Sequence, residues 1–205
     1  MNPRVKSIFV VLISVCIACA TSAADAVVLE EKFDGELSAD WFWGLGTWVA
    51  KGGVLRGFES GARRHGPVKM RKFPMKDGTV ECEFRLTGKA TFAGIIFNGS
   101  QERGHLMHLV MAKDQVRVIA HPGKGETVDL IKEPAELASG EWHRVKMEFS
   151  GATLTATVDG KTITASSPCI AEEKQTFGLS GDSGGAEGEK VGALEFRKLR
   201  IITKP

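Results

Sequence analysis

One segment, residues 141–165, constrains the fold of this 205-residue chain more than any other. Asp159-Gly160 lies between two runs in which apolar and polar residues alternate. This is the strongest short-range signal for a two-residue type I′ turn, because both turn residues must accept positive φ. Ser150-Gly151 has the composition of a second such turn. The segment therefore predicts a three-stranded antiparallel meander.

The two turns together predict which residues pair across the meander. If each turn contains two residues, Val145, Ala156 and Ile163 lie opposite one another on one face. Met147 and Leu154 then form a second pair on the same face. That face is apolar, so it is the one expected to point into the core.

The rest of the chain has the same character. About a dozen short runs have strand composition with turn signals between them, and clear examples are residues 79–86, 92–97 and 106–112. Residues 134–139 are the one place where a single helical turn is expected, and no amphipathic helix is found. This pattern predicts an all-β, antiparallel β-sandwich of the jelly-roll type.

The first 24 residues differ from the rest. Arg4 and Lys6 precede an apolar run over residues 8–20, and small residues follow at 21–24, which is typical of a secretory signal peptide. We therefore expect a signal peptide over residues 1–24, one domain over residues 25–205, and a secreted or periplasmic protein. The apolar run is short for a membrane span. Cys19 permits lipidation as an alternative, although Cys16 stands where a lipobox needs an aliphatic residue.

Charge argues against one class of partner. Removing residues 1–24 leaves 27 − 2 = 25 basic and 25 acidic residues, so the mature chain is formally neutral. Nucleic-acid binding depends on concentrated positive charge that displaces counterions. We therefore expect no nucleic-acid partner.

Two cysteines remain after cleavage, Cys82 and Cys169. Cys82 alternates with apolar residues of its predicted strand, whereas Cys169 follows a proline in a predicted loop. An oxidising compartment permits a disulfide between them, and a pair of buried free thiols is the alternative. Their spacing does not suggest a zinc site.

Several segments, taken in order, resemble one family. They are Phe33-Asp34-Gly35, Trp48-Val49, Gly53-Val54-Leu55, Glu83-Phe84-Arg85-Leu86, Gly94-Ile95-Ile96-Phe97, Gly140-Glu141-Trp142-His143, Val158-Asp159-Gly160-Lys161, Phe177-Gly178-Leu179 and residues 194–201. Together they are similar to the secreted 3-keto-disaccharide hydrolase domain family, a branch of the concanavalin A-like lectin/glucanase superfamily. The resemblance implies a concanavalin A-like jelly roll that binds or processes a carbohydrate or glycoside on its concave sheet.

The resemblance does not extend to a catalytic set. Family members commonly carry an acidic, Gln-containing strand after the Gly-x-x-Phe strand, whereas this chain has Gly-His-Leu-Met-His-Leu-Val-Met over residues 104–111. No catalytic residue is therefore transferred, and a glycoside hydrolase or lyase activity stays open. The alternative is a non-catalytic, laminin-G-like adhesion or interaction domain.

His105 and His108 are unusual on an otherwise apolar strand and are candidate catalytic residues. Spaced by three, they are expected to point to opposite faces of a regular strand, which prevents them from binding one metal ion together. One is expected to line the concave sheet beside Arg103, a candidate substrate-binding residue. The other interpretation is that each is a satisfied, partly buried histidine.

An aromatic loop and a cationic loop supply the other candidate binding residues. Trp43, and with it Trp41, would offer an aromatic platform for sugar C–H groups, while Trp48 and Trp142 belong to core-type motifs.

Arg63, Arg64 and His65 form a compact cationic loop that would donate hydrogen bonds to sugar hydroxyls or a carboxylate. A solvated loop is the alternative for these three residues.

Two groups of acidic residues have the atoms needed for catalysis or metal binding. Glu81 and Glu83 share one face of a strand, but a solvated face is the more common role of such a pair. Asp182, Glu187 and Glu189 lie in a Gly-rich loop and have ligand atoms of the kind that calcium uses, although their spacing matches no defined calcium loop. We expect no cofactor and no other metal, with a structural calcium as the open alternative.

Overall fold

The computed structural model describes residues 26–61, 65–185, 188 and 190–203, and within them almost all regular structure is β. The strands are β1 Ala26–Glu31, β2 Trp43–Leu45, β3 Thr47–Lys51, β4 Val54–Phe58, β5 Val68–Met75, β6 Gly78–Gly88, β7 Phe92–Asn98, β8 His105–Ala112, β9 Gln115–Ala120, β10 Val128–Pro134, β11 His143–Ser150, β12 Thr153–Val158, β13 Lys161–Ser166, β14 Lys174–Asp182 and β15 Gly192–Thr203. One short helix, α1, spans Pro168–Ala171.

The strands form two antiparallel sheets that pack face to face. One has eight strands in the order β13-β12-β11-β6-β15-β4-β3, with β1 added beside β15. The other has seven strands in the order β10-β9-β8-β7-β14-β5-β2. This confirms the predicted antiparallel sandwich with a concanavalin A-like jelly-roll architecture.

The second turn of the meander is as predicted. Asp159 and Gly160 have φ of 47° and 85°, and Val158 pairs with Lys161 across the turn. The Asp159 carboxylate also accepts hydrogen bonds from the Arg144 backbone N–H at 2.8 Å and the His143 ring at 2.6 Å. These bonds hold the turn against the start of β11.

The predicted position of the first turn is wrong, because the turn lies one residue later in the chain. The turn consists of Gly151 and Ala152, so Ala156 pairs with Met147 and not with Val145. Only Gly151 has positive φ, at 55°, which is the pattern of a type II′ turn. Moving the turn by one residue changes each pair by two positions, so the same residues still face the core.

The short helix also lies at a different place. No helical turn forms at residues 134–139, where β10 ends and an irregular segment follows. A turn of helix forms instead at Pro168–Ala171, where a loop was expected, with proline in the first turn where a missing N–H costs nothing. No helix in the described residues is long and apolar enough to cross a membrane.

The core between the sheets is built around aromatic rings. Phe97 meets Phe149 edge-on with ring centroids 4.9 Å apart, and Phe177 lies 6.4 Å from Phe97. All three side chains are fully buried. Cys82 and Cys169 are also buried and both are free thiols, so no disulfide joins them. Burial, followed by the negative charge of Glu83, raises the pKa of the Cys82 thiol to about 12.

Lys174 is a fully buried cation at the start of β14. Its Nζ donates to three backbone carbonyls, those of Ile170 at 2.5 Å, Lys76 at 2.7 Å and Glu172 at 3.2 Å. It also lies 4.6 Å from the centroid of the Phe149 ring. Burial lowers the pKa of Lys174 to about 8. One side chain thus satisfies the carbonyls of the α1 end and of the β5–β6 turn.

Candidate functional site

A row of side chains crosses the outer face of the seven-stranded sheet from one edge to the other. Backbone pairing places opposite one another, in strand order, Trp43, Met70, Gly178, Ile96, His108, Ile119 and Asp129. The chain neighbours Phe97, Leu109 and Phe177 belong to the core. Since side chains alternate along a strand, the row projects away from the other sheet.

Two further rows flank the first. One contains Leu45, Val68, Ser180, Gly94, Val110 and Arg117, and the other contains Lys72, Thr176, Asn98 and His105. We call the surface formed by these three rows the seven-stranded outer face. The centre of this surface projects less than its ends, because Gly94 and Gly178 have no side chain and that of Ser180 is small. A Cβ on Gly178 would lie only 2.3 Å from the Met70 sulfur.

The two ends of the central row differ in chemistry. At one end Trp43 is 46% exposed and the neighbouring Phe42 is 49% exposed. Lys72 lies 5.7 Å from the Phe42 ring centroid and adds a cation to this end. His108, toward the other end, is four strand spacings from Trp43, which is about 19 Å at about 4.8 Å per strand. An elongated ligand is therefore needed to contact both ends.

His105 and His108 lie on the same face, so the prediction that they point to opposite faces is wrong. Their ring centroids are 4.9 Å apart. The register of β7 and β8 shifts between Phe97, which pairs with Met107, and Asn98, which pairs with His105. Leu106 is therefore an extra residue on β8, a β-bulge, and both Leu106 and Met107 point into the core. The bulge returns His105 to the face of His108.

A third histidine, His121, completes a cluster that the sequence analysis missed. Its ring centroid lies 4.7 Å from that of His108 and 5.3 Å from that of His105. His121 follows β9, and its backbone N–H donates to the Leu106 carbonyl at 2.9 Å. One feature of the sequence indicates its position. His121 lies two residues after Ile119, and side chains two residues apart in an extended chain point to the same side. We call His105, His108 and His121 the histidine cluster.

Burial keeps these three imidazoles neutral. It lowers the pKa of His108 to about 3, with smaller contributions from His105, His121 and Arg117. Burial also lowers the pKa of His105, assisted by His121. The pKa of His121 is lowered as well, by burial and then Arg103, against the opposing effect of its hydrogen bond to Glu126. Protonating His108 would place a charge beside the other two rings at a poorly solvated point.

Arg103 lies behind the histidine cluster and is already engaged. Its guanidinium donates to Glu172 at 2.9 Å and to the backbone carbonyls of His105 at 3.1 Å and His121 at 2.7 Å. The hydrogen bond to Glu172 is the main reason that the pKa of Arg103 is raised. The structure therefore places Arg103 where it fixes the backbone of two clustered histidines, with most of its donors used.

The remaining predicted binding residues separate into three groups. Trp41 is only 4% exposed and packs edge-on against Phe177, with centroids 5.6 Å apart, so its ring does not form an exposed platform. Its indole N–H donates to Glu31 at 3.2 Å. His65 is exposed and its Nδ1 lies 2.7 Å from the Gly66 carbonyl oxygen. Arg63 and Arg64 lie outside the described residues.

The calcium candidates are described only at Asp182. Its carboxylate accepts from Thr91 Oγ1 at 2.7 Å and from the Gly184 N–H at 2.7 Å, which shapes the loop after β14. Glu187 and Glu189 lie outside the described residues. In the part of the chain that is described, no three His, Cys, Asp or Glu side chains already have the arrangement of a metal site.

The outer face of the eight-stranded sheet carries a charged cleft of ≈ 780 Å³ that contains Glu81 and Glu83. The Glu83 carboxylate accepts from Arg197 at 2.6 Å and Lys198 at 2.9 Å. Burial tends to raise the pKa of Glu83, but these two hydrogen bonds lower it below its usual value. Glu83 is therefore an ionised anchor for β15 and a poor general acid.

Trp142 lies on this same charged surface. The guanidinium groups of Arg85 and Arg197 lie 4.5 and 4.0 Å from its ring centroid. The expectation that Trp142 belongs to the core is therefore wrong, because the residue before β11 turns its ring outward. Trp48 is partly buried against the core as expected, with its ring centroid 6.4 Å from that of Phe196.

Carboxylates are sparse on the seven-stranded outer face. Among the described strand residues of its rows and its margins, Asp129 on β10 and Asp182 on β14 are separated by four strand spacings, about 19 Å. Glycoside hydrolysis by paired carboxyl groups needs a separation of about 5 to 9.5 Å. Asp129 is also close to Arg117, at 3.6 Å. The described strand residues of this face thus have the elements of a binding surface and supply no close pair of carboxylates.

Solved structures with the same architecture include carbohydrate-binding proteins and glycosidases. Carbohydrate-binding module CBM66 from Bacillus subtilis superposes with a TM-score of 0.56 at 14% identity, covering 75% of this chain and 89% of that one. The laminarinase catalytic domain from Thermotoga maritima gives 0.56 at 13% identity, covering 88% and 99%. The GlcNAcα1-4Gal-releasing endo-β-galactosidase from Clostridium perfringens gives 0.60 at 14% identity, covering 89% and 64%. At these identities the likeness establishes the fold alone.

Comparison of the sequence with protein families identifies the family of this chain. No curated protein sequence matches the chain. The family model of the laminin G domain matches residues 75–180, which run from the end of β5 to β14 and include the histidine cluster. Because that match spans more than half of the 205 residues, the protein belongs to the laminin G domain family.

Proposed function

We propose that this domain binds an oligosaccharide along the seven-stranded outer face without hydrolysing it. The observation that carries the proposal is the central row, which joins an exposed indole to a polar end through low-lying apolar residues. The face of an indole is electron-rich and attracts the polarised C–H groups of a sugar ring. Trp43 would form that platform, with Phe42 beside it.

The polar groups of the flanking rows would recognise hydroxyls. Lys72, Thr176, Asn98 and His105 form one such row, and Arg117 extends the other. Binding sites of this kind combine an apolar floor with a few placed polar groups that set orientation. The distance of about 19 Å from Trp43 to His108 favours several linked sugar units over one.

Binding is favoured over processing because the described strand residues of this face supply no close carboxylate pair. The resemblance to 3-keto-disaccharide hydrolases nevertheless defines a competing proposal, in which the face cleaves a 3-keto-glycoside. Incubating the protein with a 3-keto-disaccharide separates the two. Release of free glucose at a rate that depends on His105 or His108 would replace the binding proposal by an enzymatic one.

Replacing Trp43 with alanine should weaken oligosaccharide binding at least tenfold, because the stacking surface is removed. A tenfold loss corresponds to about 1.4 kcal/mol. Isothermal titration against laminari-, cello-, xylo-, manno- and galacto-oligosaccharides would identify a ligand and then measure the loss. The melting temperature should stay unchanged because Trp43 is 46% exposed.

Val49→Ala is the matched control for this experiment. Val49 is also 46% exposed, but it lies on β3 of the other sheet and should leave binding unchanged. Equal affinity of the wild type and Trp43→Ala for the oligosaccharide would show that Trp43 does not stack on the sugar. If no oligosaccharide in the panel binds and a protein partner does, the laminin-G-like adhesion alternative replaces the proposal of oligosaccharide binding.

We also propose that the chain is exported and cleaved after residue 24. The support is the charged, apolar and small-residue order of residues 1–24. Expression in a bacterial host followed by N-terminal sequencing of the periplasmic fraction should yield a chain that begins at Asp25. A protein that retains its N-terminus in the cytoplasm would contradict this.

A further inference from the structure

The histidine cluster has a hydrogen-bond pattern that packing alone does not require. His105 Nδ1 lies 2.7 Å from Asn98 Oδ1, and His121 Nδ1 lies 3.1 Å from the Glu126 carbonyl oxygen. Both oxygens are acceptors, so each Nδ1 carries the proton and, in a neutral ring, each Nε2 carries a free lone pair. Metal-binding histidines commonly donate their second nitrogen to an oxygen acceptor in this way.

Two of the three Nε2 atoms in the cluster are buried and make no hydrogen bond within the chain. They are Nε2 of His108 and Nε2 of His121. A buried polar atom without a partner costs about 1–3 kcal/mol. Two such atoms on adjacent rings therefore lower the stability of the fold unless a further group binds them.

The spacing of the three rings suits one metal ion. With a metal–nitrogen bond of about 2.05 Å, imidazole centroids lie about 3.2 Å from the metal and hence about 4.5 to 5.2 Å from each other, for bond angles from about 90° to about 109°. The observed separations are 4.7, 4.9 and 5.3 Å. The rings are tilted by 49° to 77° and are not stacked in parallel.

Carboxylates offset the two positive charges that lie closest to the cluster. Each guanidinium beside the cluster has a carboxylate partner, since Arg103 pairs with Glu172 at 2.9 Å and Arg117 with Asp129 at 3.6 Å. The rings themselves favour the neutral form, which is the form that binds metals. His105 is exposed, so an ion has a path from solvent.

We propose that His105, His108 and His121 together bind one divalent transition-metal ion of the zinc class. Imidazole nitrogen suits zinc, copper and nickel, whereas calcium and magnesium prefer oxygen. As they stand, no three His, Cys, Asp or Glu side chains of the described residues are arranged to hold a metal ion. Binding therefore requires small rotations of the rings, of a size that keeps the Nδ1 hydrogen bonds of His105 and His121. Three protein ligands leave a further position for water or a ligand group.

The test is metal titration of the untagged protein after treatment with a chelator. Zn²⁺ should bind with one ion per chain, and Co²⁺ should bind at the same site with visible d–d absorption bands. A double variant, His108→Gln with His121→Gln, should bind more than about 100-fold more weakly. Asn98→Ala should weaken binding by about tenfold, because it releases the His105 ring without removing a ligand.

His65→Gln is the control, because His65 is exposed in a separate segment and should leave metal affinity unchanged. Thermal melting of each apo variant shows whether it folds. If the double variant fails to fold, Zn²⁺-induced shifts of the three imidazole signals in NMR spectra of the wild type provide the same test. Absence of saturable binding, or unchanged affinity in the folded double variant, would overturn the proposal. Neither result depends on oligosaccharide binding.

Discussion

Lys174→Met should lower the free energy of unfolding by about 3 kcal/mol, since three backbone carbonyls would each lose a donor worth about 1 kcal/mol. The carbonyls are those of Lys76, Ile170 and Glu172. Methionine has a similar length and fills the space beside Phe149, so the loss reports hydrogen bonding more than cavity formation. For a domain of this size the change corresponds to a fall of roughly 6–12 °C in melting temperature.

Urea unfolding followed by fluorescence would measure the effect of Lys174→Met. Lys132→Met is the matched control, because Lys132 is exposed on β10 and its replacement should change stability by less than about 0.5 kcal/mol. A loss for Lys174→Met no larger than for the control would mean that the three carbonyls find other partners. In that case the lysine would not be what joins the α1 end to the β5–β6 turn.

The second large effect is a loss of stability in acid caused by the histidine cluster. The native pKa of His108 is about 3, below its usual value of 6.5. Between these values the unfolded chain binds a proton that the native state excludes. Stability is therefore intact above pH 6.5 and falls as the pH drops below it, by up to about 1.4 kcal/mol per pH unit for this residue.

Unfolding in urea at pH 7.5 and pH 4.5, with chelator present, would test this sign. Wild type should lose about 2–3 kcal/mol more than His108→Gln between the two values, since glutamine has no proton to gain. The carboxyl groups contribute nearly equally to both proteins, so the difference isolates His108. His105 and His121, whose pKa values are also lowered, should add to the wild-type slope. Parallel pH profiles for the two proteins would contradict the prediction.

Most of the architecture could be predicted from local patterns. Alternation along residues 79–86 predicts β6, the nearly all-apolar run over residues 92–97 predicts β7, and the predicted Asp159-Gly160 turn is confirmed. The first turn of the meander was misplaced because Ser150-Gly151 and Gly151-Ala152 both contain the required glycine. The two choices leave the same residues facing the core, so hydrophobic patterning could not distinguish them.

The site was predicted less well because it depends on pairing between distant strands. Trp43 and Trp41 are two residues apart, but the parity rule applies only within a strand, and β2 begins at Trp43. Trp41 therefore turns into the core while Trp43 stays on the outer face. His121 was missed because its proximity to His108 depends on the register of β8 against β9.

The antiparallel sandwich follows from periodicity and turn chemistry, because both are local properties that neighbouring residues express together. Which side chains share a surface depends on how distant strands pair. The single extra residue at Leu106 reverses the predicted side of His105, and nothing in the alternation of β8 marks it. A bulge forms where the partner strand and the core accept two consecutive apolar residues, Leu106 and Met107. Only the packed sheets contain that information, and they are what bring the three histidines together.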